Sequence, residues 1–556
     1  MNYSRFLSIF FFLLMSVFLA RSKNISFDFN TYYTPPHKPR LVVGIVVDQM
    51  RYDYLTRYAN RFGDGGFSRL MNEGYNFKNN NFDYIPTYTA PGHATIYTGT
   101  SPKYHGIIAN DWYDREKGGM IYCVDDDQYN AVGTLRSEGR KSPFRMDVTT
   151  FADQNRLHTQ FRGKSIGIAI KDRGAILPAG PTANGAYWFV GATEGQWVTS
   201  DFYMETLPDW VDKFNRENHA NDYLKVWDTK ERIETYIQSG PDLTDFESGF
   251  KGKETPTFPY DLKKLAPYNG NFDIIKNTPF GNSLTTDFAI AAIYGESLGL
   301  DDDTDVLTVS YSSTDYVGHN FGVNAVETED TYIRLDHDLD RLLETLDEVV
   351  GEGFYTVFLT ADHGAVQVPN YLKSVKIPSG YIDNNSIKSS ISDFLIERYG
   401  DGVWVENMSN YQVFLNRGLI SEMALDLRII QREVADFVQT LGHILETYTA
   451  DDMLTNYYDI GVAHKLQNGF NQSRSGDVII VVDPSFISYK MTGTTHGSGF
   501  QYDTHVPLLF FGNGIKHGSS YHPSSIVDIA PTISALLGIS APNGSIGQPL
   551  YQALKN

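Results

Sequence analysis

Apolar runs recur along the chain, separated by polar and helix-period segments. RLVVGIVVDQM (40–50), SIGIAI (165–170), VLTVSYSS (306–313), YTVFLTA (355–361), VIIVV (478–482) and VPLLFF (506–511) are rich in β-branched residues at consecutive positions. That is the pattern of strands covered on both faces in a parallel sheet. Helical periods lie between several of them. DTYIRLDHDLDRLLETLDEVV (330–350) places Ile333, Leu335, Leu339, Leu342, Leu343 and Leu346 close to a 3.6-residue repeat. SSIVDIAPTISALLG (524–538) opens on serine, suited to an N-cap, and stops at Gly538, suited to the position after a helix. Alternating strands and helices predict an α/β fold with a mostly parallel central sheet flanked by helices. Ligands then bind beyond the carboxyl ends of the strands. Two crossovers, about 174–280 and about 366–472, are long, polar, aromatic and rich in Pro and Gly. They read as insertions that wall or cover a site within one domain running from 23 to 556.

The N-terminus changes where the protein is expected to work. Arg5 precedes an apolar run from Phe6 to Ala20, too short to span a bilayer comfortably. Residues 1–22 read as a signal peptide, cleaved after Ser22 or, alternatively, after Ala20, so the protein is expected to be exported to a periplasm or the medium. No cysteine follows the run, which argues against a lipid anchor. An uncleaved anchor helix is the competing reading.

At 556 residues with 41% apolar and 14% aromatic residues, the chain can build a large core and is not disordered. A net charge of −21 argues against binding nucleic acid or anionic membrane. It leaves anionic substrates open, because a local cation reverses the sign inside a pocket. The single cysteine, Cys123, excludes intramolecular disulfides and thiolate zinc sites, so a metal centre must use Asp, Glu, His or hydroxyl ligands.

Candidates for such a centre sit after the apolar runs. ADHG (361–364) ends one strand, and a turn through Gly364 lets Asp362 and His363 converge. STDYVGH places Asp315 and His319 four apart, on one side of a helical turn. GTTHGSG holds His496 in a flexible polar loop, and Asp48 closes the first strand. Thr89, before Ala-Pro-Gly, can be presented at a helix N-terminus that favours an anion. A threonine hydroxyl becomes a nucleophile only when activated, as by a metal. His93 and His105, each beside a glycine, read as structural. Two carboxylate/imidazole sets and one hydroxyl are what a two-metal site with a covalent nucleophile requires.

These residues resemble the alkaline phosphatase superfamily in its nucleotide pyrophosphatase/phosphodiesterase-like branch. The match is best to the PafA-type bacterial alkaline phosphatases with a threonine nucleophile. The resemblance runs from RLVVGIVVDQMRYDYL through PTYTAPGH, STDYVGH, ADHG and THGS to DIAPTISALLG, the core of the chain after residue 22. DQMRYDYL together with TAPGH is specific; the DHG tripeptide is not. The resemblance implies two Zn²⁺, one held by Asp315, His319 and His496, the other by Asp48, Asp362 and His363 with Thr89 as nucleophile and ligand. It also implies that Asn110, Lys171 and Arg173 bind the transferred phosphoryl group. A monoester dianion carries one more charge than a diester, and arginine grips two oxygens at once. The expected activity is therefore hydrolysis of small phosphate monoesters by a monomeric exported enzyme. A phosphodiesterase using the same zinc pair is the alternative. An exported binding protein on a degenerate scaffold would lack a ligand, and all seven candidate ligands are present.

Overall fold

The computed structural model describes residues 38–555, so the expected signal peptide and its cleavage point lie outside the described residues. Ten strands form the main sheet: β1 (Leu41–Val47), β2 (Tyr75–Phe77), β3 (Ala131–Val132), β4 (Ser165–Ala169), β5 (Gly185–Val190), β6 (Gln196–Ser200), β7 (Asp305–Tyr311), β8 (Tyr355–Thr360), β9 (Leu508–Gly512) and β10 (Gly518–Ser520). They run in the order β10-β2-β9-β8-β1-β7-β4-β5-β6-β3. The middle five, β8-β1-β7-β4-β5, are parallel, and β9 and β6 pair antiparallel on either flank. Every residue of β1, β7 and β8 is buried, as their unbroken apolar runs require. Ile45, fully buried in β1, would cost about 2–5 kcal/mol as alanine.

Five helices position the site: α1 (Thr89–Thr98), α2 (Asp172–Ala179), α3 (Ser313–Phe321), α4 (Val326–Leu346) and α5 (Ile529–Leu537). α4 buries Ile333, Leu335, Leu339, Leu342, Leu343 and Leu346, the stripe its period predicts. Ser525 forms a capping box with Asp528 on a short 3₁₀ turn ahead of α5, which ends at Gly538 with φ +60°.

Two expectations change. VIIVV at 478–482 is a strand, but it lies in a separate four-stranded antiparallel sheet with Val405–Ser409, Gln412–Leu415 and Ile444–Thr449. Its alternate residues are covered by two different clusters. Val478, Ile480 and Val482 pack with Val434 and Leu395, while Ile479 and Val481 pack with Leu466 and Phe470. An apolar run reports that both faces are covered, not by which sheet's neighbours. The stretch 174–280 is likewise more than a wall, since it supplies β5 and β6 to the main sheet and most of α2.

Candidate active site

The carboxyl ends of β1, β7, β8 and β4 release Asp48, the α3 turn, Asp362–His363 and Lys171 to one side of the sheet. Asp48, Asp362 and His363 form one group whose ligand atoms all lie within 4.8 Å of one another, and Asp315, His363 and His496 form another. His363 thus belongs to both groups, and its ring stacks on His496 with centroids 3.4 Å apart. His319, one turn after Asp315 on α3, points Nε2 at Asp315 Oδ1 over 3.2 Å. Thr89 Oγ1, buried at the start of α1, is 3.4 Å from His363 Nε2.

The donor set fits cations. His319, His363 and His496 each donate Nδ1–H to a backbone carbonyl, of Thr494 (2.7 Å), Gly364 (3.0 Å) and Thr87 (2.8 Å). A carbonyl only accepts, so the proton sits on Nδ1 and the Nε2 lone pair faces the carboxylates. His363 Nε2 lies 3.4 Å from Asp48 Oδ1 and 3.5 Å from Asp362 Oδ2, and His496 Nε2 lies 3.6 Å from Asp315 Oδ1. Asp48 Oδ1 and Asp362 Oδ2 are buried with no hydrogen-bond partner. Burial pushes the His363 and His496 imidazoles below their ordinary range and keeps them neutral, the state a metal ligates. Burial, then the Asp362 charge, pushes the Asp48 carboxyl up. Converging lone pairs and unpartnered carboxylate oxygens are satisfied together by divalent ions with affinity for nitrogen.

Lys171 stands between the two groups. Its Nζ donates to Asp48 Oδ2 (2.7 Å) and Asp315 Oδ2 (2.5 Å). Burial opposes its charge, but Asp315 and Asp48 outweigh that and hold the ammonium protonated. An ammonium has three donors, so one remains after these two bonds. Asn110 Oδ1 accepts the Ala90 N–H at 2.9 Å, which caps the first turn of α1 and leaves the amide NH₂ as a donor beside Thr89. Arg173 touches neither metal-capable group. Its Nη1 donates to the Tyr122 hydroxyl (2.8 Å), and its Nε is buried without a partner. A cavity of about 160 Å³ is lined by Lys171, Arg173, Tyr122, Tyr316 and Lys276.

Some contributors were not read from the sequence. Gln49 spans both groups, with its backbone N–H on Asp362 Oδ1 (3.1 Å) and its side-chain amide on Asp315 Oδ1 (2.7 Å), from a left-handed φ of +66°. A Cβ on Gly318 would sit 1.9 Å from Gln49 Oε1, so this glycine makes room for the bridge. Gly92 is also dictated by space, since a Cβ there would lie 2.3 Å from the Asp362 carbonyl. His93 is closer to the chemistry than a structural residue needs to be: its Nδ1 lies 2.8 Å from the Thr89 carbonyl and 3.3 Å from Asp362 Oδ2. His105 bonds Thr95 and the Ile107 N–H, and burial lowers it to about 3, a neutral core histidine.

The sequence profile of the type I phosphodiesterase / nucleotide pyrophosphatase family matches residues 42–506. The chain is 44% identical over 523 residues to a Myroides odoratus protein named a calcium-transporting ATPase, covering 93% of this chain and 95% of that one. It is 43% identical over 521 residues to alkaline phosphatase PafA of Elizabethkingia meningoseptica, again covering 93% and 95%. The crystal structure of wild-type PafA aligns with a TM-score of 0.90 at 42% identity, over 93% of this chain and 99% of that one.

Proposed function

Because the chain belongs to the type I phosphodiesterase / nucleotide pyrophosphatase family, we propose that it is an exported two-zinc alkaline phosphatase that cleaves phosphate monoesters through a phosphothreonine at Thr89. That it is a phosphoric monoester hydrolase follows from its 43% identity to an alkaline phosphatase over nearly its whole length. The zinc, the covalent route and the export are our reading. The observation that carries it is the convergence of buried, unpartnered carboxylate oxygens and inward-facing Nε2 lone pairs in two adjoining groups that share His363, whose Nε2 lies 3.4 Å from the Thr89 hydroxyl.

Asp48, Asp362 and His363 would hold one ion, with Thr89 beside it, and Asp315, His319 and His496 the other. Bound zinc supplies Lewis acidity, which lowers the pKa of the threonine hydroxyl and of water and offsets charge on the leaving alkoxide. Thr89 Oγ1 attacks phosphorus: a P–Oγ1 bond forms, the ester P–O bond breaks, and the alcohol leaves. Water then cleaves the P–Oγ1 bond, releasing phosphate and restoring the hydroxyl. Throughout, the free Lys171 donor, the Asn110 amide and the Arg173 guanidinium bind the phosphoryl oxygens, and the N-terminus of α1 adds its dipole. Two cationic side chains suit a monoester dianion better than a diester monoanion.

The terminal phosphoryl of ATP has the same dianionic form, so ATP hydrolysis is within reach of these residues. Among the described residues no helix is long and apolar enough to cross a membrane. We read the enzyme as a monomer acting on small molecules and not on nucleic acid.

The deciding measurement is kcat/KM for an aryl phosphate monoester and the matching diester, on wild type and on Lys171→Ala/Arg173→Ala. The wild type prefers the monoester, and the double variant loses most of that preference. A wild type that prefers the diester overturns the monoesterase reading.

A further inference from the structure

Arg173 is tethered by a group that no motif points to. Its Nη1 donates to the Tyr122 hydroxyl (2.8 Å), and that hydroxyl donates to Asp172 Oδ1 (2.6 Å). The same carboxylate oxygen accepts the Arg173 backbone N–H at 2.7 Å. The single hydroxyl proton is therefore directed to Asp172, and the hydroxyl oxygen is free to accept only from the guanidinium. Lys141 holds the ring from another side, with its Nζ 4.8 Å from the ring centroid and 3.4 Å from Asp172 Oδ2.

Tyr122 ends the strand Gly119–Tyr122, which pairs with Asp111–Asp114 so that Tyr122 lies opposite Asp111. Asn110 directly precedes that hairpin, and its carbonyl accepts the Cys123 N–H at 2.9 Å. One small hairpin thus sets both the amide beside Thr89 and the hydroxyl that holds the arginine. A guanidinium is a planar fork, so fixing Nη1 fixes the direction of the remaining donors. Among these is the buried, unpartnered Nε, in a side chain that lines the 160 Å³ cavity together with Lys171.

We propose that Tyr122 is a positioning residue for Arg173, setting the plane of the guanidinium and so contributing to selection of monoesters over diesters. This rests on the reading of Arg173 as a phosphoryl-binding residue.

The test uses the full-length enzyme as wild type, Tyr122→Phe, Arg173→Ala and the double variant, each assayed on the monoester and the diester and for inhibition by inorganic phosphate. Tyr122→Phe is expected to lower the monoester/diester ratio of kcat/KM about tenfold, the worth of one hydrogen bond to a charged group, and to weaken phosphate inhibition by a similar factor. In the Arg173→Ala background the same change is expected to leave the ratio where it was. Asp172→Asn, which keeps the hydroxyl but weakens its acceptor, should lower the ratio less. The proposal is overturned if Tyr122→Phe lowers both substrates equally, or if it acts as strongly without Arg173 as with it, the marks of a purely structural residue. An Arg173→Ala enzyme with an unchanged ratio instead overturns the reading of Arg173 itself.

Discussion

At the strand ends, Asp48, Asp315 and Asp362 are buried beside three imidazoles and the Lys171 ammonium. On α4, Glu327 is also buried, but its neighbours are Glu247, the Tyr260 hydroxyl at 2.5 Å and Asp242. Both places leave carboxylate oxygens without a donor: Asp48 Oδ1 and Asp362 Oδ2 in the first, Glu247 Oε2 and Glu327 Oε2 in the second. Burial pushes Asp48 up as it does Glu327, so the difference lies in what stands beside the carboxylates. Burial, then the charge of Glu247, pushes the Glu327 carboxyl well up, and burial raises Glu247 to about 8, so this cluster keeps its protons. At the strand ends the imidazoles are fixed by backbone carbonyls with Nε2 lone pairs inward, a donor set that suits cations. A buried acid alone says little about metal; oriented nitrogen donors beside it say much more.

The largest expected effect separates the two clusters by activity. Thr89→Ala removes the nucleophile and should lower kcat by at least about a thousandfold, as nucleophile deletions do elsewhere. Glu327→Gln should stay within a few-fold of wild type in the same assay. A Thr89→Ala enzyme within tenfold of wild type would rule out the covalent route. Next comes metal content. Elemental analysis should find two zinc per folded chain, falling to about one in Asp48→Asn and staying at two in Glu247→Gln. Exhaustive chelation should abolish turnover, and added zinc should restore it. A Glu247→Gln protein that lost an ion would erase the distinction between the clusters.

The legible part of the site was the part that follows apolar strands. Asp48, Asp362 and the Asp315/His319 pair stand at the ends of runs whose two-sided burial is written in consecutive Val, Ile and Leu. Thr89, at the first position of α1, and His496, in a loop, have no apolar strand directly before them; local chemistry made them candidates, and their roles came through the resemblance. Gln49 and Tyr122 escaped both routes. The role of Gln49 depends on a left-handed turn that swings it onto an aspartate 266 positions away, and that of Tyr122 on a four-residue hairpin strand. In the fold, β5 (GAYWFV) was not singled out, because its Gly and aromatics lie inside a long polar stretch that reads as an insertion over the site. VIIVV was recognised as a strand but given to the wrong sheet, since its two covering clusters come from segments remote in sequence.

Gln49 offers a smaller but sharper test of why the strand-end cluster holds its shape. Among the described residues it is the one side chain that bonds Asp315 while its own backbone bonds Asp362, so it ties the two metal-capable groups together. Gln49→Ala should weaken zinc affinity about 10- to 100-fold, the usual cost of removing a group that orients a ligand. A competition titration against a chromophoric chelator reads this without reference to turnover. Unchanged affinity would mean that the aspartates are held by the surrounding fold alone.

The smallest effect concerns the cluster that keeps its protons. The carboxyl of Glu247 is raised to about 8 in the folded chain, from an ordinary value near 4.5, because burial disfavours its charge. Folding therefore favours the protonated form. The stability this contributes is fully present below about pH 4.5 and is lost as pH rises through about 8, where the native state must ionise or hold a proton that the unfolded chain has released. The size of the shift makes the effect on the order of a few kcal/mol. Glu247→Gln keeps the shape and removes the titration. Its Tm should exceed that of wild type by a few degrees at pH 9, with the gap nearly closed at pH 5. A gap that stays constant across that range would show that Glu247 is ionised in the folded protein and that this cluster does not keep its proton.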